Sequence, residues 1–244
     1  MICGYLYSRD DNLLIFNILL SICLASFGGV IALRLPANES FVKGRSHCDY
    51  CYHQLTWYQI IPIISYLYLQ GKCAYCQHRI QPTIFIIEII GLIAGLEASF
   101  QHLYNPYILI FLIITVAVAA MTDVLFLHIW PIILLPTIIS TVIWQPLTLI
   151  AWKYWLVWAI ILILLFIVLH GKIGFGDIEV MLLLALVLGI NPTLEIVLLA
   201  TIFIMIYYAI YQFNNHKLTA VAFVPFLLLA LLIRLGAYCL GFCQ

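Results

Sequence analysis

The chain has 244 residues, of which 66% are hydrophobic and 8% are charged. A soluble domain is about half apolar and about a quarter charged, so water is not the solvent for most of this chain. Its ten basic and ten acidic residues cancel, and this balance excludes the excess positive charge typical of nucleic-acid-binding proteins.

The apolar segments predict an all-α polytopic membrane protein. A membrane span takes about 20 mostly apolar residues. About eight such segments follow one another, at roughly 13–33, 83–100, 105–122, 129–146, 150–170, 178–190, 193–213 and 219–238. The sixth is short, so seven spans are the alternative. We expect the first to be a permanent anchor, because Arg9, Asp10 and Asp11 precede it and no small-residue cleavage site follows.

Lysines and arginines in the loops predict the orientation, because they are enriched on the cytoplasmic side. With eight spans, seven of the ten basic residues lie on one side of the membrane: Arg34, Lys43, Arg45, Lys72, Arg79, Lys172 and Lys217. The other side has three: Arg9, Lys153 and Arg234. This places both termini outside. We therefore divide the chain into an N-terminal anchor span (1–33), a cytoplasmic loop domain (34–82) and a membrane domain (83–244).

The loop domain contains two Cys-x-x-Cys pairs, Cys48 with Cys51 and Cys73 with Cys76, separated by 21 residues. Two such pairs supply the four thiolates of a closed tetrahedral zinc site, which would hold the loop folded without performing chemistry. Thiols stay reduced in the cytoplasm. The sequence thus predicts a zinc-ribbon-like loop with structural zinc. Four unrelated cysteines or a redox pair is the alternative.

Between the two pairs lies an apolar, aromatic segment, 55–67, which is interrupted by Pro62. Aromatic residues favour the headgroup region of a bilayer. We expect this segment to lie along the inner membrane surface. The alternative is that it forms the small hydrophobic core of the loop domain.

Two aspartates stand beside apolar segments. Asp123 follows a run of small residues at the cytoplasmic end of the third span, and Asp177 follows Gly174 and Gly176 at the start of the sixth. A carboxylate near hydrocarbon is costly and is therefore a candidate for function. Two carboxyl groups in different environments suit acid–base hydrolysis. The glycines would let a substrate backbone approach. Alternatively, Asp177 is a helix N-cap and Asp123 a solvated helix end.

The order and content of these motifs resemble the prepilin peptidase family, also called type IV prepilin leader peptidases. The resemblance covers roughly 26–181. It is carried by Ser26-Phe-Gly-Gly-Val-Ile-Ala-Leu-Arg-Leu-Pro, Arg45-Ser-His-Cys-Asp-Tyr-Cys, segment 55–67, Gly71-Lys-Cys-Ala-Tyr-Cys, Glu88, Asp123 and Gly174-Phe-Gly-Asp177. Glu179 departs from it, because the family has Lys at that position.

The resemblance implies a G-x-G-D aspartic endopeptidase in the bacterial inner or plasma membrane, with Asp123 and Asp177 as its catalytic pair and 83–244 as its peptidase domain. It implies removal of a short basic leader from type IV prepilins or pseudopilins at the cytoplasmic face. Some members also methylate the new N-terminus with S-adenosylmethionine. Glu179 would add negative charge for a basic leader, and Glu88 would contact the leader, serve methyl transfer or position its span.

Two other function classes fit the same composition. A non-catalytic scaffold of a pilus or secretion system would use its zinc loop for docking and would tolerate aspartate mutations. A small transporter would use the membrane acids as ion relays, but carrier sites usually lie near the midplane and both aspartates fall at span ends. The sequence carries no signal for an oligomeric state.

Overall fold

The computed structural model of the protein describes residues 11–37, 40, 45–48, 50–145, 149–168, 174–213 and 221–241. Within these ranges the chain is helical, and its β-structure is limited to two isolated bridges. The helices are α1 (Asp11–Arg34), α2 (Ile64–Tyr68), α3 (Pro82–Phe100), α4 (Pro106–Phe126), α5 (Leu135–Trp144), α6 (Leu149–Val168), α7 (Phe175–Leu188), α8 (Ile190–Phe213) and α9 (Val224–Gly241).

Eight apolar helices of ten or more residues in the described ranges coincide with the eight predicted segments, which confirms the predicted fold class. By length and composition, α1, α3, α4 and α8 are able to cross a membrane. Helix α7 has 14 residues and is the sixth, short segment. At a rise of about 1.5 Å per residue it is about 21 Å long, less than the hydrocarbon core of about 30 Å.

Helix α4 is the centre of the bundle. In an apolar 18-residue stretch of α4, 83% of the residues are buried, whereas 17% are buried in the equivalent stretch of α8. A helix that is apolar on all sides belongs in the interior. Helix α4 contacts α1, α3, α5, α7 and α9. Its C-terminal end, which carries Asp123, is therefore surrounded by other helices.

Helices α1 and α3 pack closely through small residues. A Cβ atom on Gly91 would stand 2.5 Å from the Ala25 Cβ, and one on Gly95 would collide with the Ser21 side chain. Small residues on facing helices allow this approach of the two backbones in membranes. Helix α1 ends and α3 begins at the same end of the bundle, so the loop domain between them is anchored at both of its ends.

The predicted domain boundaries lie close to helix ends, since α1 ends at Arg34 and α3 begins at Pro82. The division itself stays a prediction, as does the orientation in the membrane. Four of the basic residues used for that orientation, Arg9, Lys43, Lys172 and Lys217, lie outside the described residues.

Candidate active site and metal centre

The four cysteines of the loop domain form one cluster. The sulfurs of Cys48, Cys51, Cys73 and Cys76 all lie within 4.8 Å of one another, and the Cys48 and Cys76 sulfurs are 3.9 Å apart. Zinc–sulfur bonds of about 2.3 Å in a tetrahedron place the sulfurs about 3.8 Å apart. The donor set therefore fits a four-thiolate metal site, as the spacing predicts.

The two Cys-x-x-Cys knuckles have the same local structure. In each, the main-chain N–H of the first cysteine donates to the carbonyl oxygen five residues later, at 3.0 Å in the first knuckle and 2.9 Å in the second. The residue after the second cysteine has a positive φ in both, 56° at Tyr52 and 58° at Gln77. The repeat in sequence is thus a repeat in backbone geometry, which turns both pairs of sulfurs toward one point.

Aromatic stacking joins the two knuckles. Tyr50 of the first stacks on His78 of the second, with centroids 4.1 Å apart. The rings of His53 and Tyr75 are also in contact, with centroids 3.6 Å apart and planes tilted by 37°. The two tyrosines occupy equivalent positions in their knuckles, and so do the two histidines. Sequence reasoning left these histidines without a role, and the structure makes them packing partners beside the sulfurs.

The cysteine thiols differ in their affinity for protons. The main-chain N–H of Cys76 lowers the pKa of the Cys73 thiol to about 7, against the opposing effect of burial. The His78 N–H lowers the pKa of Cys76, but burial and the three neighbouring thiols outweigh it and raise that pKa to about 12. Four sulfurs this close cannot all ionise easily without a cation among them, and a divalent metal stabilises them as thiolates.

The aromatic segment between the knuckles exposes its largest apolar side chains. The exposed fraction is 78% for Trp57, 63% for Ile64 and 62% for Leu67. Side chains this exposed are not the hydrophobic core of the loop domain, so that alternative is wrong. Large exposed apolar patches mark interaction surfaces, and the position of this one at the membrane surface stays a prediction.

Glu88 joins this segment to the helices. Its Oε1 accepts a hydrogen bond from the Ser26 hydroxyl at 2.8 Å, and its Oε2 accepts one from the Ile63 N–H at 2.6 Å. Ile63 has φ 63° and ψ −54°, and the Ile64 N–H donates to the Pro62 carbonyl at 2.6 Å. This is a γ-turn with positive φ, which is rare and strained. Glu88 therefore ties α1, α3 and a strained turn together, and its role among leader contact, methyl transfer and span positioning stays a prediction.

Asp123 lies in the last turn of α4 and is 8% exposed. Its Oδ2 accepts a hydrogen bond from the main-chain N–H of Val224 at 3.1 Å. That N–H belongs to the first residue of α9. The sequence placed Asp123 at the end of its own helix and gave no sign of a second helix, because α9 follows a hundred residues later.

Asp177 is the third residue of α7, whose N-cap is Gly174. The Asp177 main-chain N–H donates to the Gly174 carbonyl at 3.2 Å, and the Gly174 N–H faces the Asp177 carboxylate. A Cβ atom on Gly174 would stand 2.9 Å from Asp177 Oδ2, and one on Gly176 would stand 2.8 Å from Ile129 Cδ1. The first glycine thus leaves room for the carboxylate, and the second leaves room for the chain that follows α4.

The two aspartates meet where α4 ends and α7 begins. These helices are in contact, and the charge of Asp123 acts on Asp177. Glu179, two residues after Asp177 on α7, lies within electrostatic range of His128. Glu88 is not in contact with this group, because it lies between α1, α3 and the loop domain. The structure thus brings Asp123, Asp177 and Glu179 to one end of the bundle.

A family model and known relatives match this chain. The family model of the bacterial peptidase A24 N-terminal domain matches residues 19–101. The chain is 32% identical over 180 residues to the prepilin leader peptidase/N-methyltransferase of Bacillus subtilis (strain 168), which covers 69% of this chain and 71% of that protein. It is 38% identical over 85 residues to the protein of that name from Vibrio cholerae, covering 32% of this chain and 33% of that protein.

A third relative is the prepilin leader peptidase/N-methyltransferase of Myxococcus xanthus, 36% identical over 76 residues. That match covers 31% of this chain and 23% of the relative. The Vibrio and Myxococcus proteins are therefore matched over less than two thirds of their length. No solved structure matches the chain.

Proposed function

Because the chain belongs to the prepilin leader peptidase family, we propose that it is a membrane aspartic endopeptidase with Asp123 and Asp177 as its catalytic pair. The observation that carries this proposal is the meeting of the two carboxylates. They come from helices α4 and α7, 54 positions apart in sequence, yet these two helices are in contact and the two carboxyl groups lie within electrostatic range of each other. An aspartic peptidase needs two neighbouring carboxyl groups to activate a water molecule that hydrolyses the peptide bond.

The chemistry requires the two carboxyl groups to differ in protonation. Like charges at short range favour a pair that shares one proton. The ionised member takes a proton from a water molecule, which then attacks the scissile carbonyl carbon. The protonated member donates its hydrogen to the carbonyl oxygen. When the intermediate breaks down, the first member gives the proton that it took from water to the leaving nitrogen, and the second takes a proton back from a hydroxyl of the intermediate. The two aspartates thus exchange roles as the tetrahedral intermediate forms and breaks down.

The surroundings suit a substrate that is apolar on one side of the cut and basic on the other. Val124, Leu127 and Phe175 beside the aspartates are 58%, 59% and 61% exposed. They would contact the hydrophobic segment of a type IV prepilin or pseudopilin. Glu179, half-buried nearby, would attract the basic leader. Cleavage then occurs at the cytoplasmic face of the bacterial plasma membrane.

The four-cysteine cluster would hold zinc. Cys48, Cys51, Cys73 and Cys76 would supply four thiolates, and zinc would contribute folding free energy to the loop domain. A closed thiolate shell leaves no position for substrate, so the metal acts on the shape of the loop alone. The proteolytic step is assigned to the aspartates.

The experiment is co-expression with a candidate prepilin, with leader removal followed by gel shift. Asp123→Asn and Asp177→Asn each lower the cleavage rate by at least about 100-fold at equal membrane abundance. Asp11→Asn, in the first turn of α1, is the matched control and cleaves normally. Cleavage that survives in either site variant removes that aspartate from catalysis. Survival in both, with loss on loop mutation, supports a scaffold instead.

The same experiment tests methyl transfer, which the names of the relatives include. S-adenosylmethionine would be the methyl donor. Mass spectrometry of the mature N-terminus distinguishes the two results, because a methylated product is heavier by one methyl group. An unmethylated product from an active enzyme restricts the function to proteolysis.

A further inference from the structure

The N-terminus of α9 bears directly on Asp123. Besides the 3.1 Å bond from the Val224 N–H to Asp123 Oδ2, the main-chain N–H of Phe223 also faces this carboxylate. The Phe223 carbonyl in turn accepts hydrogen bonds from Phe226 at 3.0 Å and Leu227 at 3.3 Å. Phe223 thus lies directly before α9, and its carbonyl accepts the first hydrogen bonds of that helix. Asp123 lies against main-chain amides that have no acceptor within the helix.

The chemistry of a helix terminus explains this contact. The first four N–H groups of a helix have no partner within it and carry partial positive charge. A buried carboxylate needs hydrogen bonds or positive charge around it, or its burial is costly. Val224 is fully buried and Asp123 nearly so, which leaves little water to compete. The helix amides therefore gain a hydrogen-bond acceptor, and the buried carboxylate gains hydrogen-bond donors.

Helix α9 is fixed in this position by its own packing. It contacts α4 along one side and α8 along another. Farther along α9, the Arg234 Nε donates to Glu195 Oε2 of α8 at 2.7 Å, and the Arg234 side chain is 7% exposed. Removing one partner of this ion pair would leave the buried Arg234 charge uncompensated, so the pair favours the observed packing of α9 on α8. The amides at its N-terminus are thereby held opposite Asp123.

We propose that Phe223 and Val224 are positioning residues whose main-chain amides orient Asp123 and stabilise its negative charge. Helix α9 is then part of the catalytic apparatus, although it contributes no reacting side chain. This inference rests on the proposed function of Asp123. It identifies the N-terminus of α9 as the feature that distinguishes the environment of Asp123 from that of Asp177, whose carboxylate faces the N-cap of its own helix.

The first test replaces Val224 with proline and, separately, with alanine. Proline lacks the N–H but is well tolerated at the first position of a helix, whereas alanine keeps the N–H and shortens the side chain. A hydrogen bond to a charged group is worth about 10-fold to 100-fold. The kcat of Val224→Pro is therefore expected to lie at least about 10-fold below that of Val224→Ala, with KM similar in both. Equal kcat values overturn the inference.

The second test does not depend on folding of the proline variant and uses no substrate. Hydrogen exchange at the amides of Phe223 and Val224 is measured in wild type, Asp123→Ala and Asp177→Ala. Loss of the acceptor is expected to accelerate exchange about 10-fold in Asp123→Ala only. The same exchange in all three proteins overturns the inference. Cleavage by Asp123→Asn would instead overturn the proposed function while leaving the exchange result in place.

Discussion

Replacing Glu88 with alanine removes both hydrogen bonds that join α3 to α1 and to the γ-turn. Glu88 is 6% exposed, and its two oxygens accept from the Ser26 hydroxyl at 2.8 Å and the Ile63 N–H at 2.6 Å. Hydrogen bonds to a charged group are worth about 1.5–3 kcal/mol each, so the pair contributes about 3 kcal/mol or more. For a chain of this length, about 1 kcal/mol corresponds to about 2–4 °C in Tm, so we expect a decrease of about 6–12 °C.

The assay is thermal unfolding of the purified protein in detergent. Ser26→Ala removes one of the two bonds and should lower Tm by about half as much. Glu88→Gln keeps the shape of the side chain, because its oxygen accepts from the Ile63 N–H and its amide donates to Ser26, so its effect should be the smallest. A Glu88→Ala protein with the Tm of wild type refutes the reasoning. So does a Glu88→Gln protein as unstable as Glu88→Ala, because charge alone would then matter.

Two further predictions concern the metal centre and a glycine. The purified protein should contain about one zinc per chain, which is lost on chelation and in Cys73→Ser. The control Cys23→Ser, whose cysteine is exposed on α1, should keep its zinc. Metal analysis measures both variants, and equal zinc contents would exclude the four-cysteine cluster as the zinc site. Gly176→Ala should lower the free energy of unfolding of the protein by about 1–3 kcal/mol, because the new Cβ would stand 2.8 Å from the Ile129 side chain. The control is Gly29→Ala, whose new Cβ would meet its nearest atom at an ordinary 3.7 Å. Thermal unfolding of the two glycine variants measures the difference, and equal Tm values contradict it.

The fold could be predicted from local patterns. Apolar length alone located the eight helices, because a bilayer leaves few alternatives to the helix. The spacing of Cys48, Cys51, Cys73 and Cys76 sufficed for the thiolate cluster, since each pair is formed by one turn of chain. These predictions succeeded because the physics that determines them acts over a few residues.

The packing around the aspartates could not be predicted in the same way. The contact between Asp123 and Val224 joins residues 101 positions apart, and only the arrangement of α4 and α9 creates it. The pairing of His78 with Tyr50 depends on how the two knuckles face each other. The exposure of Trp57 depends on which elements pack beside it, which composition does not reveal. Each of these requires the tertiary structure.

The two candidate sites share one end of the bundle and differ in how they are held. Helices α3 and α4 are joined by 101–105 and run in opposite directions, so α3 begins where α4 ends. Glu88 fixes the loop domain to the start of α3, and Asp123 lies at the end of α4. The loop is thus attached beside the aspartates through the backbone of two packed helices. A thiolate cluster that keeps the loop folded would therefore shape the approach to Asp123 and Asp177 without entering their chemistry, and its loss should affect substrate binding before it affects the cleavage step.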